Sequence, residues 1–203
     1  MYKPPHFIET RLEVLHELIT ANPLGLLVTS GPGGLMANHL PFHLDAGKST
    51  LRAHLARANA QWKELAAGAE CLIVFQGPHA YVTPGWYATK QETGKVVPTW
   101  NYAVVQVRGR PTVHQDADWL RAQVGELTDR HEASRAKPWA VDDAPEDYIA
   151  SQLKGIVGVE IEIASMDGKW KVSQNRVEAD REGVAKGLWA LGETAMAALV
   201  AKR

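Results

Sequence analysis

Three short runs of this chain gather residue types that are uncommon in a purely structural core. They are His54–Trp62, Val97–Tyr102 and Gly168–Arg176. Each run places a tryptophan beside side-chain amides, and two of them also contain cations. An unpaired buried amide costs on the order of 1–3 kcal/mol, so such residues are seldom used for packing alone. The three runs predict a site for a planar, anionic ligand.

Composition narrows the class of protein. The chain has 203 residues, with 22 Lys and Arg against 23 Asp and Glu, a net charge of -1 and a pI near 6.7. A protein that grips nucleic-acid phosphates usually carries a basic excess, so this balance does not indicate direct nucleic-acid binding, although a local basic patch stays open. The chain starts without a secretory pattern, and no apolar run approaches the roughly 20 residues that cross a bilayer, so we expect a cytoplasmic protein. The single cysteine, Cys71, lies in an apolar strand pattern and is interpreted as an inert core thiol.

The spacing of apolar residues predicts the elements that position these runs. Strands are expected at about 24–29, 35–44, 49–54, 69–75, 79–83, 101–114, 155–163 and 169–173. Helices are expected at about 10–21, 116–131, 145–153 and 181–200, and a further short helix follows the start of the first run and ends at about residue 67. Asp167 and Gly168 are expected to turn the chain between the last two strands. The glycine-rich segment 30–34 is interpreted as a hairpin turn, since its glycine spacing matches no nucleotide-binding loop. Residues 89–95 are expected to form an exposed loop.

The order of these elements predicts the fold class. Most strands follow one another as hairpins and do not alternate regularly with helices, which favours an antiparallel barrel or strongly curled sheet over a parallel one. We therefore expect a mainly β protein with peripheral helices, folded as one domain over residues 1–203 and ending in the helix at about 181–200.

Six motifs, in order, carry a resemblance to a known family. They are Met1-Tyr2 with Pro5–Phe7, Asn38–Phe42, His54–Trp62, the pair of segments 77–82 and 86–87, Val97–Tyr102, and Gly168–Arg176. With these motifs the chain resembles the PaiB type of FMN-binding negative transcriptional regulators, in the FMN-binding split-barrel superfamily. The resemblance implies an antiparallel split β-barrel, a homodimer, and an FMN site near the subunit interface. The chain departs from the family at Ala60 and Gly85, and neither change removes a charged or amide group.

The resemblance gives the first run a role toward the phosphate of FMN. A phosphate dianion needs cations and strong donors. Arg57 is assigned to the phosphate, with His54 and Asn59 in support. The alternative interpretation is that Arg57 is a solvated surface charge.

The segment from Asn38 to Phe42 contains a proline, which implies a strand edge or bulge with backbone groups free to meet a ligand. Asn38 and His39 are therefore candidate flavin-site residues, and His39 could equally be a satisfied structural histidine. His39 and His43 lie roughly 13 Å apart on a strand that rises about 3.3 Å per residue, so no metal site is expected.

The other two runs are expected to supply ring contacts and further polar groups. Within Thr99–Tyr102, alternate residues face opposite ways. Trp100 and Tyr102 are expected on one face with Asn101 as a brace, and the reverse assignment stays open. If the last strand persists, Lys171 and Asn175 share a face with Ser173, and Gln174 lies on the other. Lys171 suits either a phosphate or an acidic partner residue.

Two classes of function remain open at this point. The resemblance implies an FMN-binding homodimeric regulator, and no helix-turn-helix pattern or basic stripe supports direct DNA contact, so an indirect route through another protein is favoured. The alternative is a flavin-dependent oxidoreductase of the flavin-reductase or pyridoxamine-phosphate-oxidase kind, since flavin itself supplies the redox chemistry. Haem binding through a histidine is a third and weaker interpretation.

Overall fold

The computed structural model describes residues 1–202. The strands are β1 (Ile8–Glu9), β2 (Leu24–Gly31), β3 (Gly34–Pro41), β4 (His43–Asp45), β5 (Thr50–Ala56), β6 (Cys71–Val82), β7 (Thr99–His114) and β8 (Ile156–Lys171). The helices are α1 (Leu12–Ala21), α2 (Gln61–Ala66), α3 (Thr89–Thr93), α4 (Ala117–Glu132), α5 (Glu146–Lys154), α6 (Glu178–Ala190) and α7 (Thr194–Ala201). Short 3-10 helices cover Pro5–Phe7, Pro84–Trp86 and Val141–Asp143.

The strands form one eight-stranded sheet in the order β3-β2-β6-β7-β8-β5-β4, with β1 paired to β8. The pairings of β1 with β8, β2 with β3 and β6, β4 with β5, and β5 with β8 are antiparallel. The predicted hairpin is confirmed: β2 and β3 pair from Leu24 opposite Pro41 to Gly31 opposite Gly34. Gly34 turns the chain with a φ of 96°, a conformation that favours glycine.

The predicted turn at Asp167 and Gly168 is wrong, because β8 continues through both residues. Gly168 lies opposite Glu9 in the pairing with β1. A Cβ at Gly168 would lie 2.3 Å from the Leu15 side chain and 2.7 Å from the Glu9 carbonyl oxygen. Glycine is needed at position 168 because Leu15 and Glu9 approach its backbone closely, whereas the sequence analysis interpreted it as a turn residue.

Four other elements differ from the sequence prediction. The strand expected at 35–44 is interrupted at Phe42 and forms β3 and β4. β6 runs unbroken through Gly77, where a Cβ would meet the Leu18 side chain at 2.8 Å, so this glycine also permits close packing. The loop expected at 89–95 contains the short helix α3, which ends at Gly94 with a φ of 63°. The helix expected at 181–200 is two helices, α6 and α7, separated at Gly192 with a φ of 78°.

The chain divides into two compact units, which are described separately. The first unit contains Met1–Leu18, Gln76–Val105 and the chain from Asp167 onward, and the second contains Ile19–Phe75 and Gln106–Met166. The division cuts the long strands β6, β7 and β8, so each contributes residues to both units. The prediction of a single domain stays a prediction.

Each unit has buried apolar side chains of its own. In the first unit they include Val82, Val172, Val184, Leu188 and Met196. In the second they include Leu27, Phe42, Ile73, Phe75 and Ile161, and a separate cluster of Leu120, Val141, Ile149 and Leu153 lies between α4 and α5.

Cys71 is buried in the second unit, as the sequence predicted. Burial raises the pKa of its thiol to about 11, and the sulfur contacts the Gly109 carbonyl oxygen at 3.5 Å. None of the helices in the described chain combines the length and apolar composition required to cross a bilayer.

In the first unit, the segment that follows β6 packs against α6. The backbone and ring of Trp86 pack against Gly183 and Gly187, and the buried Asp180 carboxylate accepts hydrogen bonds from the N–H and hydroxyl of Thr89 at 3.0 and 2.9 Å. A Cβ at Gly183 would lie 2.0 Å from the Trp86 carbonyl oxygen. The two glycines therefore let the 84–89 segment dock on the helix.

We expect Gly183→Ala to destabilise the protein by about 1–3 kcal/mol, because backbone atoms must move to admit the methyl group. The matched control is Gly125→Ala in α4, where a Cβ has open space. That variant should gain about 0.5–1 kcal/mol from better helix propensity. Urea unfolding measures both free energies, and shifts of the same sign would contradict the close-packing assignment.

Candidate functional site

Aromatic and cationic side chains share one face of three neighbouring strands in the first unit. His79 and Tyr81 lie on β6, Trp100 and Tyr102 on β7, and Lys169 and Lys171 on β8; these six residues define the aromatic-lysine face. Members of each pair are two residues apart, so their side chains point the same way.

Trp100 is the centre of the aromatic part of this face. Its ring centroid lies 6.2 Å from that of His79 and 6.1 Å from that of Tyr81, the latter edge to face at 70°. Trp100 is 54% exposed and Tyr81 is 48% exposed. The face therefore presents flat, polarisable surface to a ligand.

Lys169 is buried, Lys171 is partly buried, and both donate hydrogen bonds to neutral groups. Lys169 is 8% exposed and donates to the Tyr2 carbonyl oxygen at 3.1 Å. Its ammonium lies 5.5 Å from the ring centroid of Tyr2 and 5.3 Å from that of Tyr102. Lys171 donates to the Thr99 hydroxyl at 2.5 Å and to the Trp100 carbonyl oxygen at 2.6 Å.

A third cation, Arg176, adds to this positive region. Its guanidinium lies 4.6 Å from the ring centroid of the buried Tyr87. Burial holds the pKa of Lys171 below its ordinary value, and the positive charges of Lys169 and Arg176 lower it further. Within residues 1–202, no carboxylate lies within ion-pair distance of these three cations. An anion would remove their mutual repulsion, so this end of the face suits one.

Asn101 lies on the opposite side of β7 and braces the chain after β8. It is buried, its amide donates to the Ser173 hydroxyl at 2.9 Å, and that hydroxyl donates back at 3.3 Å. Ser173 has a φ of 65°, since β8 has already ended at Lys171. The condition for the common face predicted for Lys171, Ser173 and Asn175 is therefore not met.

The two amides after Ser173 have different surroundings. The Gln174 side chain accepts from the Val172 N–H at 2.8 Å and donates to the Trp170 carbonyl oxygen at 2.5 Å, which closes a local turn. Asn175 is exposed.

In the second unit, Arg57 is held by three neutral acceptors. Its Nε donates to the Lys154 carbonyl oxygen at 2.8 Å, one terminal nitrogen to Gln115 at 2.6 Å, and the other to the Ile156 carbonyl oxygen at 3.0 Å. A guanidinium has five N–H donors, so two remain for an anion. No carboxylate of the described residues forms an ion pair with it.

The other predicted residues of the second unit are Asn38, Asn59, His54 and His39. The first two form hydrogen bonds with Gln61. Gln61, which sequence reasoning did not select, is fully buried and accepts from the Asn38 amide at 2.9 Å. The Asn59 side chain accepts from the Gln61 N–H at 3.1 Å, at the start of α2. The His54 ring nitrogen Nδ1 lies 2.8 Å from the Gln123 side-chain oxygen, and His39 is exposed on β3.

The structure thus brings some of the predicted residues into two local groups. Thr99, Trp100, Tyr102 and Lys171 meet at the aromatic-lysine face, and Asn38 and Asn59 both bond to Gln61. Arg57 and His54 bond to other residues, and His39 is exposed. Sequence reasoning missed His79, Tyr81, Lys169 and Arg176. Lys169 could have been found from the sequence, because it lies two residues before Lys171 on the same strand and therefore on the same face. His79 and Tyr81 could not, because they approach Trp100 only through the pairing of β6 with β7 in the sheet.

Comparisons with known proteins show the family to which the chain belongs. Residues 1–165 match the model of a family described as "Putative FMN-binding domain". An uncharacterized protein of Emericella nidulans is 37% identical over 96% of this chain and 93% of its own length. The protease synthase and sporulation protein PAI 2 of Bacillus subtilis is 33% identical over 93% of this chain and 89% of its own length.

A solved structure shows the same fold. The FAD and heme binding protein from Mycobacterium smegmatis matches with a TM-score of 0.61 and 18% identity, over 81% of this chain and 73% of that chain. At this identity the likeness shows the fold alone. Together with the antiparallel sheet, it confirms the predicted split-barrel class with peripheral helices.

Proposed function

This chain belongs to the family of FMN-binding domains, as its resemblance to PaiB-type proteins predicted, and from that premise we propose that it is a homodimeric FMN-binding regulatory protein. Its bound flavin would respond to redox state or flavin supply. The response would reach transcription through a partner protein and not through direct DNA contact, in keeping with a net charge of -1.

The aromatic-lysine face is the observation that carries the proposal. FMN has a flat tricyclic ring and a phosphate dianion, so a site for it needs flat apolar packing and unpaired positive charge. Trp100 and Tyr102 supply the first, and Lys171 and Arg176 supply the second. The residues present therefore fit the group. FMN, when bound, would supply electron transfer that no side chain of the protein can perform.

Roles for the individual residues follow from their contacts. We assign Trp100 and Tyr102 to the flavin ring, and Lys171, oriented by Thr99, to its anionic groups. Asn101, Gln174 and Asn175 hold or extend the chain beside these contacts.

In the second unit, Arg57 is assigned to phosphate through its two free N–H donors. His54 and Asn59 support it, and Asn38 and His39 are assigned to contacts along β3. These assignments are tested separately from those of the first unit.

Purified protein titrated with FMN should quench flavin fluorescence with a saturable, stoichiometric endpoint. We expect Trp100→Ala to weaken FMN binding about 2- to 10-fold, because an aromatic contact contributes about 0.5–1.5 kcal/mol beyond its buried area. The matched control is Trp189→Ala on α6, since Trp189 is 51% exposed and lies outside the face. Equal losses in the two variants would contradict the assignment of Trp100 to the ring.

The phosphate assignment of Arg57 predicts a loss that depends on the ligand. We expect Arg57→Ala to weaken FMN binding about tenfold or more, because a hydrogen bond to a charged group contributes about 1.5–3 kcal/mol. Riboflavin, which lacks the phosphate, should bind the variant and the wild type alike. A parallel loss for both ligands in isothermal titration would show that Arg57 acts only on the fold.

The regulatory role is distinguished from oxidoreductase activity by reduction kinetics. The Bacillus subtilis relative is named for sporulation and not for a substrate, which favours regulation. We expect NADH and NADPH to bleach the bound FMN no faster than they bleach free FMN, and sedimentation velocity to give the mass of a dimer. Rapid turnover of either nicotinamide nucleotide would instead establish the flavin-dependent oxidoreductase.

A further inference from the structure

Lys169 is an enclosed charge without a counter-charge. Its ammonium lies 5.5 Å from the ring centroid of Tyr2 and 5.3 Å from that of Tyr102, and it has one neutral hydrogen-bond acceptor, the Tyr2 carbonyl oxygen. Its side chain is almost completely covered. A cation in such surroundings loses hydration that two aromatic faces and one carbonyl only partly replace.

The pairing of β8 with β1 does not depend on this charge, because Lys169 pairs with Ile8 through its backbone. Its side chain lies beside the rings of Tyr2 and Tyr102, and an unbranched apolar side chain of similar length would keep that packing without the charge. The charge of Lys169 also disfavours the charge of its neighbour, because it helps to lower the pKa of Lys171. A buried charge without a counter-charge in the free protein is expected to have a use when a ligand is present.

The position of Lys169 indicates which part of a flavin it meets. It lies against Tyr102, which the proposed function assigns to the flavin ring. Lys171 is two residues further along β8, at the end of the strand, where its ammonium is already directed at Thr99 and the Trp100 carbonyl oxygen. Lys169 is thus the lysine of this face whose ammonium lies against a side chain assigned to the flavin ring.

We propose that Lys169 stabilises the negative charge that the flavin ring gains on reduction, and so raises the midpoint potential of the bound flavin. This inference rests on the proposed function. The oxidised ring is neutral; two electrons from a reductant such as dithionite or a reduced nicotinamide nucleotide, with one proton from water, convert it to the reduced ring, which carries one negative charge. In water-excluded surroundings a fixed cation favours that charged form over the neutral one. Lys169 therefore discriminates between the two redox states and contributes little to binding of the oxidised one.

The test compares the affinity of Lys169→Met for oxidised and reduced FMN. We expect oxidised FMN to bind within about twofold of wild type, and reduced FMN to bind about tenfold more weakly, the lower end of what one nearby charge produces. For a two-electron couple this tenfold change lowers the midpoint potential by about 30 mV. Dithionite titration against a reference dye, followed by flavin absorbance, measures it.

Three further variants make the result specific. Lys169→Arg keeps the charge and should keep the potential within a few millivolts of wild type by the same conversion. Lys169→Gln removes the charge while keeping a polar chain, and should reproduce the shift if Lys169→Met folds poorly by circular dichroism. Lys186→Met removes an exposed lysine of α6 and should change nothing, because water screens that charge.

Each outcome separates this inference from the proposed function. FMN bound by both neutral variants at an unchanged potential would overturn the role of Lys169 and leave FMN binding intact. A loss of oxidised FMN affinity that riboflavin does not share would assign Lys169 to the phosphate, and would also overturn it. Failure of the wild type to bind FMN would overturn both proposals.

Discussion

The pairing of β8 with its neighbours is the interaction on which the sheet and the candidate site both depend. β8 pairs with β5 through Ile156–Glu162 and with β1 at Gly168 and Lys169, and it lies beside β7 in the sheet. Because the strand stays extended through Gly168, its last two lysines emerge on one side, next to Tyr102 and Thr99. A turn at this point, as the dipeptide Asp-Gly suggested, would have sent those side chains elsewhere.

The lysines of the aromatic-lysine face have different partners from the cations of several ion pairs elsewhere in the chain. Several other cations have carboxylate partners: Arg52 with Asp45 and Glu126, Arg121 with Asp142 and Glu146, Arg11 with Glu9, and Lys3 with Asp167. Exposed ion pairs of this kind add little stability, but they show that each of these cations has an acidic group beside it. The lysines of the aromatic-lysine face instead have hydroxyl, carbonyl and phenol partners. The burial of Lys169 and the neutral partners of both lysines are the physical basis for assigning an anionic ligand here.

How far sequence predicts this molecule depends on whether a feature is local. Alternation of apolar residues located β7 and most of β8, and Thr99–Tyr102 was identified from its unusual side chains alone. Glycine misled the prediction because one residue type serves two purposes: Gly34 turns the chain, whereas Gly168 admits a neighbouring strand. Spacing along the sequence does not distinguish the two. Contacts between strands were beyond prediction for the same reason, so the clustering of Tyr81 with Trp100 became visible only once β6 and β7 were neighbours.

The burial of Cys71 has a practical consequence for study of this chain. It is the one cysteine in the sequence, and its thiol is both covered and held in the protonated form at neutral pH. A second cysteine introduced on the surface would therefore be the sole site that maleimide dyes or nitroxide spin labels modify in the folded protein. Distances within each unit, and between subunits if they associate, become measurable by spectroscopy without first removing the native thiol.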